Sequence, residues 1–137
     1  LDYTVEHRVP GIQEYQQLRN STGWEALADD VVGVALLNTL FAVCVMWNHK
    51  LIGSGRIIGD GGAYFYIQDV IVLPDHQQKG VGTMIMLELE KWLSENTFDH
   101  SFIGLMAAED VKAFYKKFGY KERDASKPGM YKTVSRE

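Results

Sequence analysis

The segment Val70-Ile71-Val72-Leu73-Pro74-Asp75-His76-Gln77-Gln78-Lys79-Gly80-Val81-Gly82-Thr83 holds the residues best suited by type and spacing to do chemistry. A β-branched run stops at a proline, a short polar turn follows, and a helix-forming stretch opens on two glycines. Backbone N–H groups at such a turn converge on one small space, and the helix dipole adds partial positive charge there. Glycine at 80 and 82 lets a ligand come closer than a Cβ would allow, and Lys79 can add a full charge. A pyrophosphate suits that chemistry. The spacing is not that of a Walker loop, because no lysine-serine or lysine-threonine pair ends it, nor is it the six-residue dinucleotide fingerprint. Gly53-Ser54-Gly55 through Gly59 fails both patterns and reads as bulge and turn glycines in and at the end of a strand.

Other chemistry-bearing residues read more plainly. His7, His49, His76 and His100 are scattered without metal-ligand spacing, so no metal site is expected. Cys44 lies between Val43 and Val45 in an apolar run and reads as a buried, inert thiol. As the single cysteine it forms no intramolecular disulfide, which fits a reducing, cytoplasmic compartment. Asp60, in Asp60-Gly61-Gly62, reads as a turn former. The net charge of −4 comes with no basic stripe, so no nucleic-acid partner is expected, although a few lysines and N–H groups can still hold a phosphate.

The elements that must position the glycine turn follow from periodicity and punctuation. Thr4 to Val9 is a short strand candidate closed by Pro10-Gly11, Ile12 to Arg19 a helix, and Asp29-Asp30 caps a second helix from Val31 to about Leu40. Phe41 to Trp47 and Leu51 to Ile58 form a hairpin around Asn48-His49-Lys50. Ala63 to Leu73 is a long strand. The longest helix spans about Gly80 to Ser94, with Val81, Met84, Ile85, Leu89 and Trp92 on an apolar face. Ser101 to Ala107 is a further strand and Asp110 to Phe118 a further helix closed by Gly119, with short strands around Lys121 and Met130 to Val134. This order predicts an α/β protein with a mixed, largely antiparallel sheet of about six or seven strands flanked by about four helices. The 137 residues read as a single domain, and no apolar run approaches the ~18 residues of a membrane span. No signal-peptide pattern opens the chain.

The pattern Gln77-x-x-Gly80-x-Gly82, after strand and Pro74 and before an amphipathic helix, closely resembles the acetyl-CoA signature of the GNAT superfamily of N-acetyltransferases. The resemblance extends to Ala113-Phe114-Tyr115-Lys116-Lys117-Phe118-Gly119-Tyr120 and covers most of the chain from Phe41 onward. It implies a GNAT-like fold and acetyl-CoA as acyl donor, with Gln77, Gln78, Lys79, Gly80, Val81, Gly82 and Thr83 around the pyrophosphate. It implies that a bulged fourth strand at Ile71, Val72 and Leu73 pairs with pantetheine and polarises the thioester carbonyl. Tyr115 matches the family's usual general acid, and Phe114 would pack or wall the cofactor groove. Many members carry an asparagine seven residues before the tyrosine, where this chain has Ala108 flanked by Glu109.

Acetylating an amine requires the neutral amine, whose pKa near that of lysine is ~10.4, so a proton must be removed. Asp69 is the leading base or water-orienting group. It shares strand parity with Phe65, Ile67, Ile71 and Leu73, and the alternative role is a structural carboxylate bonded to a turn or to Arg56. Trp24, with Thr22 and Gly23, and Pro128-Gly129-Met130-Tyr131 fall where the family borders its acceptor. The expected reaction is acetyl transfer to a primary amine, of a small molecule by default, by direct attack in a ternary complex. Transfer to a protein lysine or N-terminus and a non-catalytic acyl-CoA-binding sensory module are the alternatives. No membrane partner is expected, and the chain is read as a monomer or homodimer.

Overall fold

The computed structural model describes residues 2–136. In chain order they form β1 (Thr4–Glu6), α1 (Ile12–Asn20), α2 (Asp29–Leu37), β2 (Phe41–Trp47), β3 (Lys50–Gly59), β4 (Tyr64–Val72), α3 (Val81–Asn96), β5 (Phe102–Gly104) and α4 (Lys112–Lys116). Short 3-10 turns occupy Pro74–His76 and Glu109–Val111. The chain divides into two compact units, 1–106 and 107–137.

The first unit is a sheet in the order β1-β2-β3-β4-β5, antiparallel except for the parallel β4–β5 pair. Asn48 and His49 both take positive φ, 51° and 63°, as a two-residue hairpin turn between twisted strands requires. Asp60 is a turn former as expected, its Oδ1 accepting the N–H groups of Gly62, Ala63 and Tyr64 at 2.8–3.0 Å. The parallel β4–β5 pair needs a crossover, and α3 supplies it. Helix α3 buries Val81, Ile85, Met86, Leu89 and Leu93. Trp92 stacks on Phe41 and meets Phe65 edge-on. The opposite face of the sheet is met by Leu18 of α1, which clusters with Cys44, Leu51 and Ile71, while Tyr15, Val32 and Leu36 join α1 to α2. Helix α2 begins at Asp29 with Ala28 as N-cap, so Asp29 and Asp30 act from its first turn rather than ahead of it.

In the second unit the expected helix is divided: a 3-10 turn leads into α4, and the Phe118 N–H donates to the Tyr115 carbonyl at 3.0 Å. Gly119 takes φ +92° just past the helix, the cap position its residue type predicts. The strands expected around Lys121 and from Met130 to Val134 do not form, so the described residues hold five strands rather than six or seven. Arg123 Nε donates to the Lys127 carbonyl and the Lys127 N–H to the Asp124 carbonyl, bending the segment into a turn. Met130, Tyr131 and Val134 are exposed, and strand-forming residue types do not make a strand without a half-buried pleated surface to fit.

Candidate active site

The pairing of β3 with β4 slips by one residue beside the expected site. Arg56 pairs with Gln68 and Ser54 with Ile71, so Asp69 and Val70 together face Gly55 alone. That is a β-bulge, and its first residue, Asp69, sits at φ +59°. A left-handed backbone costs a non-glycine residue roughly 1–2 kcal/mol, and aspartate tolerates it best together with asparagine. Gly55 is required opposite: a Cβ there would lie 2.7 Å from Ile85 Cγ2 and 3.3 Å from Val70 Cγ2.

The bulge also inverts the strand's parity. Upstream of it, Phe65 packs towards Trp92 of α3, and Val70 meets Gly55 on that same side. Asp69 and Ile71 instead face α1, through Tyr15 and Leu18. The single face read from Phe65, Ile67, Asp69 and Ile71 is therefore two faces. Both sides of the sheet are covered, so alternation of buried residues survives the inversion and conceals it.

Asp69 is 6% exposed. Its Oδ2 accepts the Tyr15 hydroxyl at 2.6 Å and Arg56 Nε at 2.9 Å, and its Oδ1 accepts Gln68 Nε2 at 3.0 Å. Arg56 continues outward, Nη1 donating to the Ala35 carbonyl at 3.2 Å and to Thr39 Oγ1 at 3.1 Å. Burial and the adjacent carboxylate push the Tyr15 phenol above its ordinary pKa, so it donates at neutral pH.

The β4–β5 ladder covers only Tyr64–Tyr66, so from Ile67 to Val72 β4 runs on without β5 alongside. Leu73 N–H donates to Ile52 O at 2.8 Å, and the alternation of an antiparallel ladder then turns Ile71 and Leu73 towards β3 and Val72 towards the open edge. Val72 O accepts Gln77 Nε2 at 3.0 Å, which ties the strand end to the turn beyond Pro74. Left-handed residues at Gln78 (φ +61°) and Gly80 (φ +85°) bend the chain sharply into α3. Gly80 is the N-cap and has no side chain to satisfy the first N–H groups, and the first turn carries no acidic residue. Val81 is buried against Gly53 and offers only its backbone, whereas Gln78, Lys79 and Thr83 are exposed. A strand edge that no other strand of the described residues pairs thus leads directly into the positive end of a 16-residue helix.

In the second unit Tyr115 is half-buried, and burial raises its phenol pKa above the usual 10.0. Phe114 packs edge-on against Tyr115 and Phe118, with centroids 5.2 and 5.4 Å away. In the first unit, Trp24 is half exposed, with the Arg19 guanidinium over its ring at 5.3 Å.

The family model described as Acetyltransferase (GNAT) domain matches residues 29–122. The chain belongs to the GNAT acetyltransferases. A relative in Pyropia yezoensis, the uncharacterized N-acetyltransferase ycf52, is 33% identical over 134 residues, 94% of this chain and 75% of the relative. A Staphylococcus aureus protein named a probable acetyltransferase shares 30% identity and a TM-score of 0.91, over 97% of this chain and all of that one. Glucosamine-6-phosphate N-acetyltransferase of Arabidopsis thaliana, at 16% identity and a TM-score of 0.70, shares the fold. The protein is a GNAT-type N-acetyltransferase, and its family implies acetyl-CoA as donor. The glycine-capped helix end, exposed Lys79 and open β4 edge fit a pyrophosphate followed by an amide-bearing arm. No helix among the described residues is long and apolar enough to cross a membrane.

Two residues of this arrangement carry no signal of their place in it. Val70 opens the segment singled out in the sequence, but no residue type marks it as the second bulge position. Tyr15 reads only as part of a short helix, and nothing in its sequence neighbourhood announces a partner 54 positions away. For Asp69, the ion pair with Arg56 that its alternative, structural role requires is formed.

Proposed function

We propose that this enzyme transfers acetyl from acetyl-CoA to the primary amine of a small molecule, by direct attack in a ternary complex, with residues 1–137 acting as one domain. The carrying observation is the continuity of the β4 bulge and open edge with the Gly80-capped start of α3. When bound, acetyl-CoA supplies an activated acyl group on a good leaving group.

The N–H groups from Gln78 to Thr83, with Lys79, hold the pyrophosphate, and Gln77 keeps the turn against Val72. Val72, and Val70 released from the ladder by the bulge, aim backbone groups at pantetheine and the thioester carbonyl, with Ile71 and Leu73 fixing them to β3. A preorganised N–H directed at a developing oxyanion is worth roughly 3 kcal/mol. Asp69 uses three of its about four lone-pair sites, leaving one for a water that carries the amine's proton. Tyr115, kept protonated by burial, gives its proton to the departing sulfur, and Phe114 packs it in place. Trp24, with the Arg19 guanidinium over its ring, would border the acceptor.

The test is thiol release from acetyl-CoA against aliphatic amines, aromatic amines, amino sugars and a lysine peptide. Turnover with a small amine supports the reading. Transfer to the peptide alone, or acetyl-CoA binding with no transfer to any acceptor, overturns it.

A further inference from the structure

The buried pair of Arg56 and Asp69 has a feature that stability alone does not explain. A buried ion pair is often no better for folding than apolar side chains of similar volume. This pair sits on the one residue of β4 held in left-handed backbone, and it is anchored from three other elements. Tyr15 of α1 shares Asp69 Oδ2 with Arg56 of β3, and Arg56 reaches the Ala35 carbonyl in the last turn of α2 and Thr39 beyond it. The Tyr15 ring lies 5.5 Å from the guanidinium and closes the side of the assembly. Opposite the bulge stands Gly55, the residue type that least resists a change of backbone conformation. A non-glycine residue held in left-handed backbone, as Asp69 is, persists only where its surroundings over-determine it.

We propose that Arg56, with Tyr15, is a positioning residue for acetyl transfer: acting through Asp69, it locks the β4 bulge so that the open edge at Val70–Val72 keeps the geometry the thioester needs. The proposal rests on the assignment of that edge to the acyl donor. Arg56 and Tyr15 touch neither donor nor acceptor in this scheme. Their effect passes through one carboxylate, and it falls on turnover more than on cofactor affinity, because the pyrophosphate turn takes its bend from its own left-handed residues, Gln78 and Gly80.

The experiment compares wild type, Arg56→Met, Arg56→Lys and Tyr15→Phe by steady-state kinetics at saturating amine, and by hydrogen exchange of the peptides spanning 67–73 and 81–96. Arg56→Met should lower kcat at least tenfold, with KM for acetyl-CoA changed less than threefold. Arg56→Lys, which keeps the charge but not the planar fork, should recover part of the loss. Tyr15→Phe, which keeps the ring and the ion pair, should lower kcat severalfold and speed exchange in 67–73 while leaving 81–96 protected. Tyr15→Phe decides the matter if Arg56→Met fails to fold. Wild-type kcat and wild-type exchange in a folded Tyr15→Phe or Arg56→Met protein overturns the proposal. A wild type that acetylates no amine removes the proposed function instead, and exchange in 67–73 then judges the lock alone.

Discussion

Gly55 and Ile85 approach so closely that a single added carbon does not fit between β3 and α3. A Cβ built on Gly55 lies 2.7 Å from Ile85 Cγ2 and 3.2 Å from Leu89 Cδ1, and Val70 of the bulge closes the third side at 3.3 Å. The packing of the longest helix and the conformation of the bulged strand therefore meet at one glycine. Stability and the geometry of the edge proposed for the acyl donor are coupled there.

Gly55→Ala should consequently cost roughly 1–3 kcal/mol, the usual penalty for overpacking a filled core. The measurement is a thermal melt, expected to fall by several degrees, paired with kcat. An unchanged melting temperature would mean that α3 shifts freely away from the sheet, and would remove the coupling.

Gly82→Val tests the phosphate turn. A branched side chain at the second residue of α3 stands where the pyrophosphate should approach the helix N–H groups. The acetyl-CoA dissociation constant should rise at least tenfold, about 1.4 kcal/mol. Titration calorimetry returning the wild-type affinity from a folded variant would move the pyrophosphate off this turn. Gly80 makes the contrasting case: a Cβ there meets nothing within 4 Å, so Gly80→Ala strains only the backbone at φ +85°.

The sequence carried the order of elements well because each has strong local causes. The α3 helix, the Asn48-His49 hairpin and the Asp60 turn depend on near neighbours, and all formed, although the fully buried face of α3 adds Met86 and Leu93 and leaves Met84 and Trp92 half-buried. The resemblance implied a bulged fourth strand at Ile71, Val72 and Leu73, whereas the bulge lies just before them, at Asp69 and Val70. It is a relation between strands, and the only local hint, Gly53-Ser54-Gly55, lies on the partner strand. With helices on both sides, Ile67, Asp69 and Ile71 are all buried whichever face they take, so the pattern is silent about the inversion. The C-terminal strands failed for the opposite reason. Met130, Tyr131 and Val134 have the right residue types, but strand propensity is a tendency to fit a half-buried pleated surface, and these side chains stay exposed.

Asp69→Asn separates the proton role of this carboxylate from its structural one. Asparagine tolerates φ +59° and can still accept the Tyr15 hydroxyl, but it leaves the Arg56 cation buried and unpaired. Breaking one partner of such a pair typically costs roughly 3–5 kcal/mol, so the melting temperature should drop. A relay role requires more: the acid limb of the pH–rate profile should alter while acetyl-CoA affinity holds. A lower rate with an unchanged profile assigns Asp69 to structure alone, and an unchanged rate removes it from the reaction.

Tyr115 carries the most demanding prediction. Burial raises its pKa above 10.0, and the sign follows directly: burial disfavours the charged phenolate, so the protonated form persists through neutral and mildly alkaline pH. An acid in that state can donate to sulfur throughout the neutral and mildly alkaline range, and no loss of rate there should come from its ionisation. Phenylalanine preserves the ring contacts with Phe114 but removes the proton. General-acid assistance typically contributes about 10²–10⁴-fold, so Tyr115→Phe should depress kcat by that order while acetyl-CoA affinity stays nearly constant. The rate must be read at saturating acceptor, with a single-turnover experiment to ensure that chemistry rather than product release limits it. If the variant matches wild type there, another group or water protonates the thiolate. If instead wild type loses activity well below pH 10 and the variant shows the same loss, that limb belongs to a different residue and leaves Tyr115 in place.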